Sequence, residues 1–267
     1  MRFIFPSDYF KPKRVDSAYA EQFALLGDRG CANSLISLEN LSLDSSTIYP
    51  EPNPGEQLIY RGWMLAPDDY SLLVNAVKNA GAEMWIDRDE YLRTHYLPNW
   101  YPLLHDLTPE TYFFDVDDRL EAKLTELGWS QFFIKDYVKS LKTSTGSIIN
   151  SPSAINSLVG EMQKFRGTIE GGICVRKVED FITETERRYF VINGRVFAAS
   201  PDLEIPAIVT ECSRRIDSKF FSVDTIDRRD GVTRIVEIGD GQVSGLVGWT
   251  VDRFADLWTE LTIDNIK

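Results

Sequence analysis

Across 267 residues, 29 lysines and arginines stand against 41 aspartates and glutamates, a formal net charge of −12, and 43% of the chain is hydrophobic. Such an acidic balance argues against the delocalised phosphate-backbone binding of nucleic acid, which needs a basic face, but not against a nucleotide held by a few converging cations and a divalent metal. Cys31, Cys174 and Cys212 are odd in number and lack CxxC spacing, so neither a disulfide framework nor a thiolate metal site is expected. No run approaches the ~20 apolar residues that span a bilayer, and "MRFIFPSDYF" lacks the apolar core of a signal peptide. The sequence therefore predicts a soluble, cytoplasmic protein with no membrane partner, long enough for two or three subdomains.

"RFIFPS" reads as a strand ending at Pro6, "AYAEQFALLG" as a helix closed by Gly27, and the alternating "SLISLE" as a second strand, a βαβ-like start. After the Pro-rich "YPEPNPGEQ", Leu58–Tyr60 reads as a strand. "APDDYSLLVNAVKNAG" reads as a helix that opens at Pro67, carries Leu73, Ala76, Val77 and Ala80 on one face, and stops at Gly81. "EMWI" offers another strand. Residues 1–106 are thus expected to form an α/β domain.

A second unit, 107–167, is expected to hold a helix from Asp117 to Leu127, the strand "QFFIKDY", a polar loop from Ser140 to Ser147 and a helix from Ser153 to Phe165. The third, 168–267, is rich in strands. "GGICVRKV" leads into "ERRYFVINGRVFAAS", where Asn193-Gly194 between alternating runs signals a hairpin. "PAIVTECSRRI" reads as a helix. "FFSVDTIDRRDGVTRIVEIGD" gives two more strands around Asp230-Gly231.

The chemistry-bearing residues concentrate in these last two units. Folding at Asp230-Gly231 allows Asp224 and Glu237 to lie together on one face, with Asp240 just beyond. Paired carboxylates repel unless a cation compensates them, and Mg²⁺ takes one or two carboxylates together with waters and phosphate oxygens; a solvated hairpin rim is the equal alternative. Lys135 ends an otherwise apolar strand and must leave the sheet or pair with an anion. Lys139 and Lys142 lead into "TSTGS", which can bend around phosphates but lacks P-loop spacing. Arg187 and Arg188 point to opposite sides of their strand, so one at most enters a given cleft. For these arginines and for Arg176 and Lys177, ordinary ion pairs with Glu179, Asp180 or Glu186 compete with a phosphate-directed role. His95 and His105 read as packing or hydrogen-bonding residues.

Taken in order, "FFIKDYVKSLK", "GGICVRKVEDF", "ERRYFVINGRVFAAS" and "FFSVDTIDRRDGVTRIVEIGDGQVSG" resemble the ATP-grasp family over about Asp106 to Gly248. The nearest resemblance is to a little-characterised clade defined by one arginine and two lysines. The resemblance implies an N-terminal α/β domain followed by a two-lobed grasp fold, α/β plus α+β, with ATP and Mg²⁺ as cofactors. It implies a phosphate contact from Lys135, adenosine contacts from the segment Arg176, Lys177, Val178 and Glu179, and a γ-phosphate or acyl-phosphate contact from Arg188; Lys139 and Lys142 are further ATP-binding candidates from their place before the polar loop. Asp224 and Glu237 match metal-binding acids. Family members often carry Asn two residues after that Glu, where this chain has Gly239, so either Asp240 takes over or the second metal site is altered. The implied activity is ATP-dependent joining of a carboxylate to an amine through an acyl phosphate, with Lys135, Arg176 and Arg188 as the catalytic cations and small-molecule or peptide substrates as partners. The rival from another class is a non-catalytic nucleotide-sensing or partner-binding protein. A third reading is a phosphotransferase ending at a stable phosphorylated product. Oligomeric state leaves no trace in the sequence.

Overall fold

The computed structural model describes residues 1–43, 47–117, 119–138, 146–167 and 169–264. They form two compact units, each assembled from separate stretches of chain: Met1–Arg93 with Arg187–Val223 and Gly239–Lys267, and Thr94–Glu186 with Asp224–Ile238.

The first unit is built on a five-stranded sheet of β1 (Arg2–Pro6), β2 (Ala32–Ile36), β3 (Ile48–Tyr49), β4 (Gln57–Tyr60) and β5 (Glu83–Met84), in the order β3-β2-β1-β4-β5. Strands β1, β2, β4 and β5 run parallel, and β3 is an antiparallel edge. Phe3, Ile4 and Phe5 are all buried, as a strand covered on both faces requires. Helix α1 (Ala20–Asp28) runs through Gly27, where the sequence predicted its end; Gly30, with φ of 82°, lies just beyond it. Helix α2 (Pro67–Asn79) has Pro67 in its first turn and buries Leu73, Ala76 and Val77 of its predicted stripe, while Ala80, the fourth member, is the residue that caps its end and is half-buried.

The second unit contains α4 (Leu97–Leu104), which follows α3 (Arg88–His95), then β6 (Thr111–Phe114), α5 (Leu120–Glu126), β7 (Phe132–Asp136), β8 (Ile148–Ile149), α6 (Ile155–Arg166) and β9 (Ile173–Lys177). Its antiparallel sheet has the order β6-β9-β7-β8. Phe132, Ile134, Ile173 and Val175 on one face of this sheet join Leu124, Leu158 and Met162 in a core.

The division of the chain falls inside β10 (Phe181–Ile192), β12 (Phe220–Arg228) and β13 (Thr233–Asp240), which with β11 (Arg195–Phe197) give a sheet of order β11-β10-β12-β13. Asn193 and Gly194 link β10 to β11 with φ of 48° and 76°, the paired left-handed values that an Asn-Gly turn supplies. Helix α7 (Ala207–Arg215) lies before β12, and α8 (Val251–Asp264) ends the described chain. Phe254, Leu257 and Trp258 of α8 are buried in the core of the first unit. Among the described residues, no helix is long and apolar enough to cross a membrane.

Candidate functional site

In the second unit, β7 and β9 pair so that Lys135 lies opposite Cys174 and Phe133 opposite Arg176. Side chains alternate along a strand, so the face that carries Ile134 and Val175 goes to the core while Lys135, Cys174 and Arg176 share the other face. Lys135 is only 3% exposed. A buried ammonium needs a partner, and its Nζ donates to Glu237 Oε1 at 2.7 Å. The Glu237 side chain is 42% exposed, so this carboxylate closes over the lysine from the solvent side.

Arg176 is buried beside this pair. Its Nε donates to Thr111 Oγ1 at 3.3 Å and its Nη1 to the Val236 carbonyl at 2.5 Å. Among the described residues its Nη2 is buried without a hydrogen-bond partner. Burial lowers the affinity of this guanidinium for its proton, and the negative charge of Glu237 opposes that effect. A buried donor left unsatisfied costs about 1–3 kcal/mol, so the arrangement is suited to an acceptor that is not part of the protein. Cys174 shares the face, but burial pushes its thiol up to about 12, which disfavours the thiolate at neutral pH.

Where β9 ends, Lys177, Val178 and Glu179 line a pocket of about 710 Å³ together with Tyr101, Arg228 and Arg234. Glu179 is clamped by Arg234, with Nε to Oε2 at 3.1 Å and Nη2 to Oε1 at 3.3 Å, and by Arg228 Nη1 at 3.3 Å. Glu179 is thus ion-paired, but with arginines of the β12–β13 hairpin and not with the Arg176, Lys177, Arg187 or Arg188 that the sequence offered as its partners. Lys177 approaches Glu110 at 3.7 Å. His105 lines the same pocket, its Nδ1 3.1 Å from the Pro102 carbonyl.

Asp224 on β12 is buried at 5% exposure. Among the described residues no three acids, histidines or cysteines converge as a metal cage. A magnesium site draws on one or two carboxylates and takes its remaining oxygens from phosphate and water, so it needs no such cage. Lys139 and Lys142 lie outside the described residues.

The remaining predicted residues belong to the first unit. Arg188 donates from Nη1 to the Gly245 carbonyl at 2.8 Å. Asp240 is completely buried; its Oδ1 accepts from Gln242 N at 3.0 Å and Gln242 Nε2 at 3.1 Å, and among the described residues its Oδ2 has no hydrogen-bond partner. Burial pushes its carboxyl up to about 8. At Gly239 a Cβ would lie 2.7 Å from Ser244 Oγ and 3.0 Å from Ser222 Oγ, two hydroxyls 2.7 Å from each other. An asparagine there would have to displace these hydroxyls.

One residue that sequence reasoning passed over organises this segment. Arg61 is 2% exposed; its Nη1 donates to the carbonyls of Gly241, Gln242 and Ser244 at 3.1, 3.1 and 2.6 Å, and its Nε to Gln22 Oε1 at 2.7 Å. The only local hint was an arginine inside the apolar run "LIYRGWML".

A mixed chain of several sheets, with a buried lysine on an inner strand paired to a glutamate of the β12–β13 hairpin, is compatible with an ATP-grasp fold. Solved structures agree at the level of fold. A RimK domain ATP-grasp protein from Sphaerobacter thermophilus superposes with a TM-score of 0.62 at 14% identity, covering 96% of this chain and 98% of the other. The D-cycloserine synthetase DcsG gives 0.62 at 12%, covering 97% and 99%. A Chryseobacterium gregarium ATP-grasp ligase, solved with ADP and a leader and core peptide, gives 0.61 at 11%, covering 99% and 97%. No curated protein matches the sequence. The family model of the ATP-grasp domain, R2K clade family 3, matches residues 126–261. The chain belongs to that family, within a class of ATP-dependent ligases.

Proposed function

We propose that this chain is an ATP-dependent carboxylate–amine ligase that works through an acyl phosphate on an amino acid, a peptide or a small carboxylate. The observation that carries the proposal is the buried Lys135 ammonium held 2.7 Å from Glu237, beside a buried Arg176 with an unsatisfied nitrogen. In this reading Lys135 turns from Glu237 to the phosphates of ATP, and Asp224 and Glu237 hold Mg²⁺, which neutralises charge on the transferring phosphoryl group. The pocket at Lys177, Val178 and Glu179 takes the nucleoside; its size falls in the ~300–1,000 Å³ range of small-molecule sites. Arg188 keeps its expected role toward phosphate as part of the same proposal. Asp240, with one oxygen committed to Gln242, fits a bracing role better than that of a metal ligand.

The substrate carboxylate oxygen attacks the γ-phosphorus, the bond to the bridging oxygen breaks, and ADP leaves. An amine nitrogen then attacks the acyl carbon, loses a proton, and expels phosphate to leave an amide. Positioning and charge neutralisation dominate such transfers, which agrees with a site of lysine, arginines and carboxylates. Peptide substrates are included because a structural neighbour was solved with leader and core peptides.

The test is ADP release from ATP and Mg²⁺ in the presence of a panel of amino acids and peptides, with hydroxylamine added in parallel. Substrate-dependent ADP release with a hydroxamate product supports the ligase. A phosphorylated product that persists in hydroxylamine identifies a phosphotransferase. Nucleotide binding without turnover across the panel identifies a sensor.

A further inference from the structure

The parallel sheet of the first unit reverses its direction of winding between β1 and β4: from β1 the chain goes to β2 on one side, and later to β4 on the other. In such sheets ligands gather at the carboxyl ends of the strands flanking that reversal. Here those ends are Pro6 and Tyr60, and the two loops that follow them carry most of the unit's exposed aromatic surface. Tyr9 is 68% exposed and Phe10 84%, packed edge to face with centroids 4.8 Å apart; Trp63 and Met64 are exposed on the second loop.

These side chains stand on an ordered frame. Asp8 Oδ1 accepts from the backbone of Phe10 at 3.0 Å and Lys11 at 2.9 Å, and Asp8 N and Arg14 N bond to Arg14 O and Lys11 O. Trp63 Nε1 donates to Asp16 Oδ2 at 3.0 Å, its ring meets Tyr19 edge-on, and Tyr60 Oη donates to the Trp63 carbonyl. The two loops are thus tied together, and rings that water would favour burying are fixed outward. Lys11, Lys13 and Arg14 are all exposed, and among the described residues none has an ion-pair partner; Lys13 lies over the Tyr49 ring at 4.7 Å. Three cations within four positions are out of character for a chain of net charge −12.

We infer that these two loops dock an acidic peptide whose apolar side chains cover Tyr9, Phe10, Trp63 and Met64 while its carboxylates meet Lys11, Lys13 and Arg14. Exposed aromatics fixed in place bind with little loss of side-chain freedom, and the cations select an anionic partner. A nucleic acid or an anionic bilayer offers a far denser negative charge, which the acidic remainder of the protein repels. The inference rests on the ligase reading in one respect: the docked peptide is the substrate or carries it.

The experiment is fluorescence anisotropy with the full chain and a labelled peptide that alternates glutamate with leucine and phenylalanine, against a control with lysine for glutamate. The acidic peptide is expected to bind and the basic one not to. The Tyr9→Ser/Phe10→Ser pair and the Lys11→Glu/Lys13→Glu/Arg14→Glu triple variant should each weaken binding about tenfold or more. Because these side chains are exposed, melting temperature should not change, and the affinity for Mg²⁺ with a nonhydrolysable ATP analogue should stay at the wild-type value. Absence of acidic-peptide binding, equal affinity in the variants, or preference for a single-stranded oligonucleotide or phosphatidylserine vesicles overturns the inference. Loss of nucleotide binding in the wild type would count against the ligase reading instead.

Discussion

Removing Glu237 should damage the fold more than removing Lys135, although the two form one ion pair. Lys135 is 3% exposed, whereas the Glu237 side chain is 42% exposed. Glu237→Ala therefore strands a buried ammonium and withdraws the negative charge that offsets burial of the Arg176 guanidinium. Breaking a buried pair in this way costs about 3–5 kcal/mol. Lys135→Met leaves behind a carboxylate that water can reach, and the loss should be about 1 kcal/mol. The expected difference of about 3 kcal/mol is well above measurement error in urea unfolding followed by tryptophan fluorescence. Combining both changes should recover about 2 kcal/mol relative to Glu237→Ala alone, since no ammonium is then left unpaired. Equal losses in the two single variants, or a double variant as unstable as the sum of both, would refute the idea that Lys135 depends on Glu237 for its burial.

Gly239→Ala places a Cβ 2.7 Å from Ser244 Oγ and should cost about 1–3 kcal/mol; adding Ser244→Ala should return most of it, as seen in the same urea titration. Arg61→Met removes a buried donor from three carbonyls and Gln22, and should lose about 3 kcal/mol or more. Asp240 titrates near 8 in the folded chain because burial disfavours its anion. A folded-state value raised above the unfolded one means that the native state holds the extra proton. Its contribution to stability is therefore present at acid pH and declines as pH rises toward 8. Asp240→Asn should flatten the fall in melting temperature between about pH 5 and 8; an unchanged pH profile would show that Asp240 is ionised and solvated.

Features set by neighbouring residues were readable in the sequence. Asn193-Gly194 adopts the two left-handed conformations its chemistry favours, and Pro67 opens α2 with most of its apolar stripe buried. Lys135 was legible because an otherwise apolar strand cannot leave an ammonium unpaired, and its partner came from the acids of a hairpin whose turn the sequence also marked. The Asp230-Gly231 turn was found, but it is longer than a two-residue turn: Arg228 N bonds to Val232 O. Strand β6 and the final helix α8 were passed over, although Phe254, Leu257, Trp258 and Leu261 have helical spacing. Arg61 escaped for a deeper reason. The carbonyls that make it a buried hub come from residues about 180 positions away, and no local pattern encodes them. The orphaned Arg176 nitrogen is likewise a property of packing, since the same arginine would be an unremarkable surface residue if β9 were an edge strand.

The most direct measurement is calorimetric titration of a nonhydrolysable ATP analogue into the wild type, Lys135→Met and Glu237→Gln, with and without Mg²⁺. If Lys135 serves the phosphates and Glu237 the metal, the wild type binds tightly only with Mg²⁺, Lys135→Met loses affinity in both conditions, and Glu237→Gln loses the magnesium effect. Wild-type affinity and wild-type magnesium dependence in both variants would contradict the account.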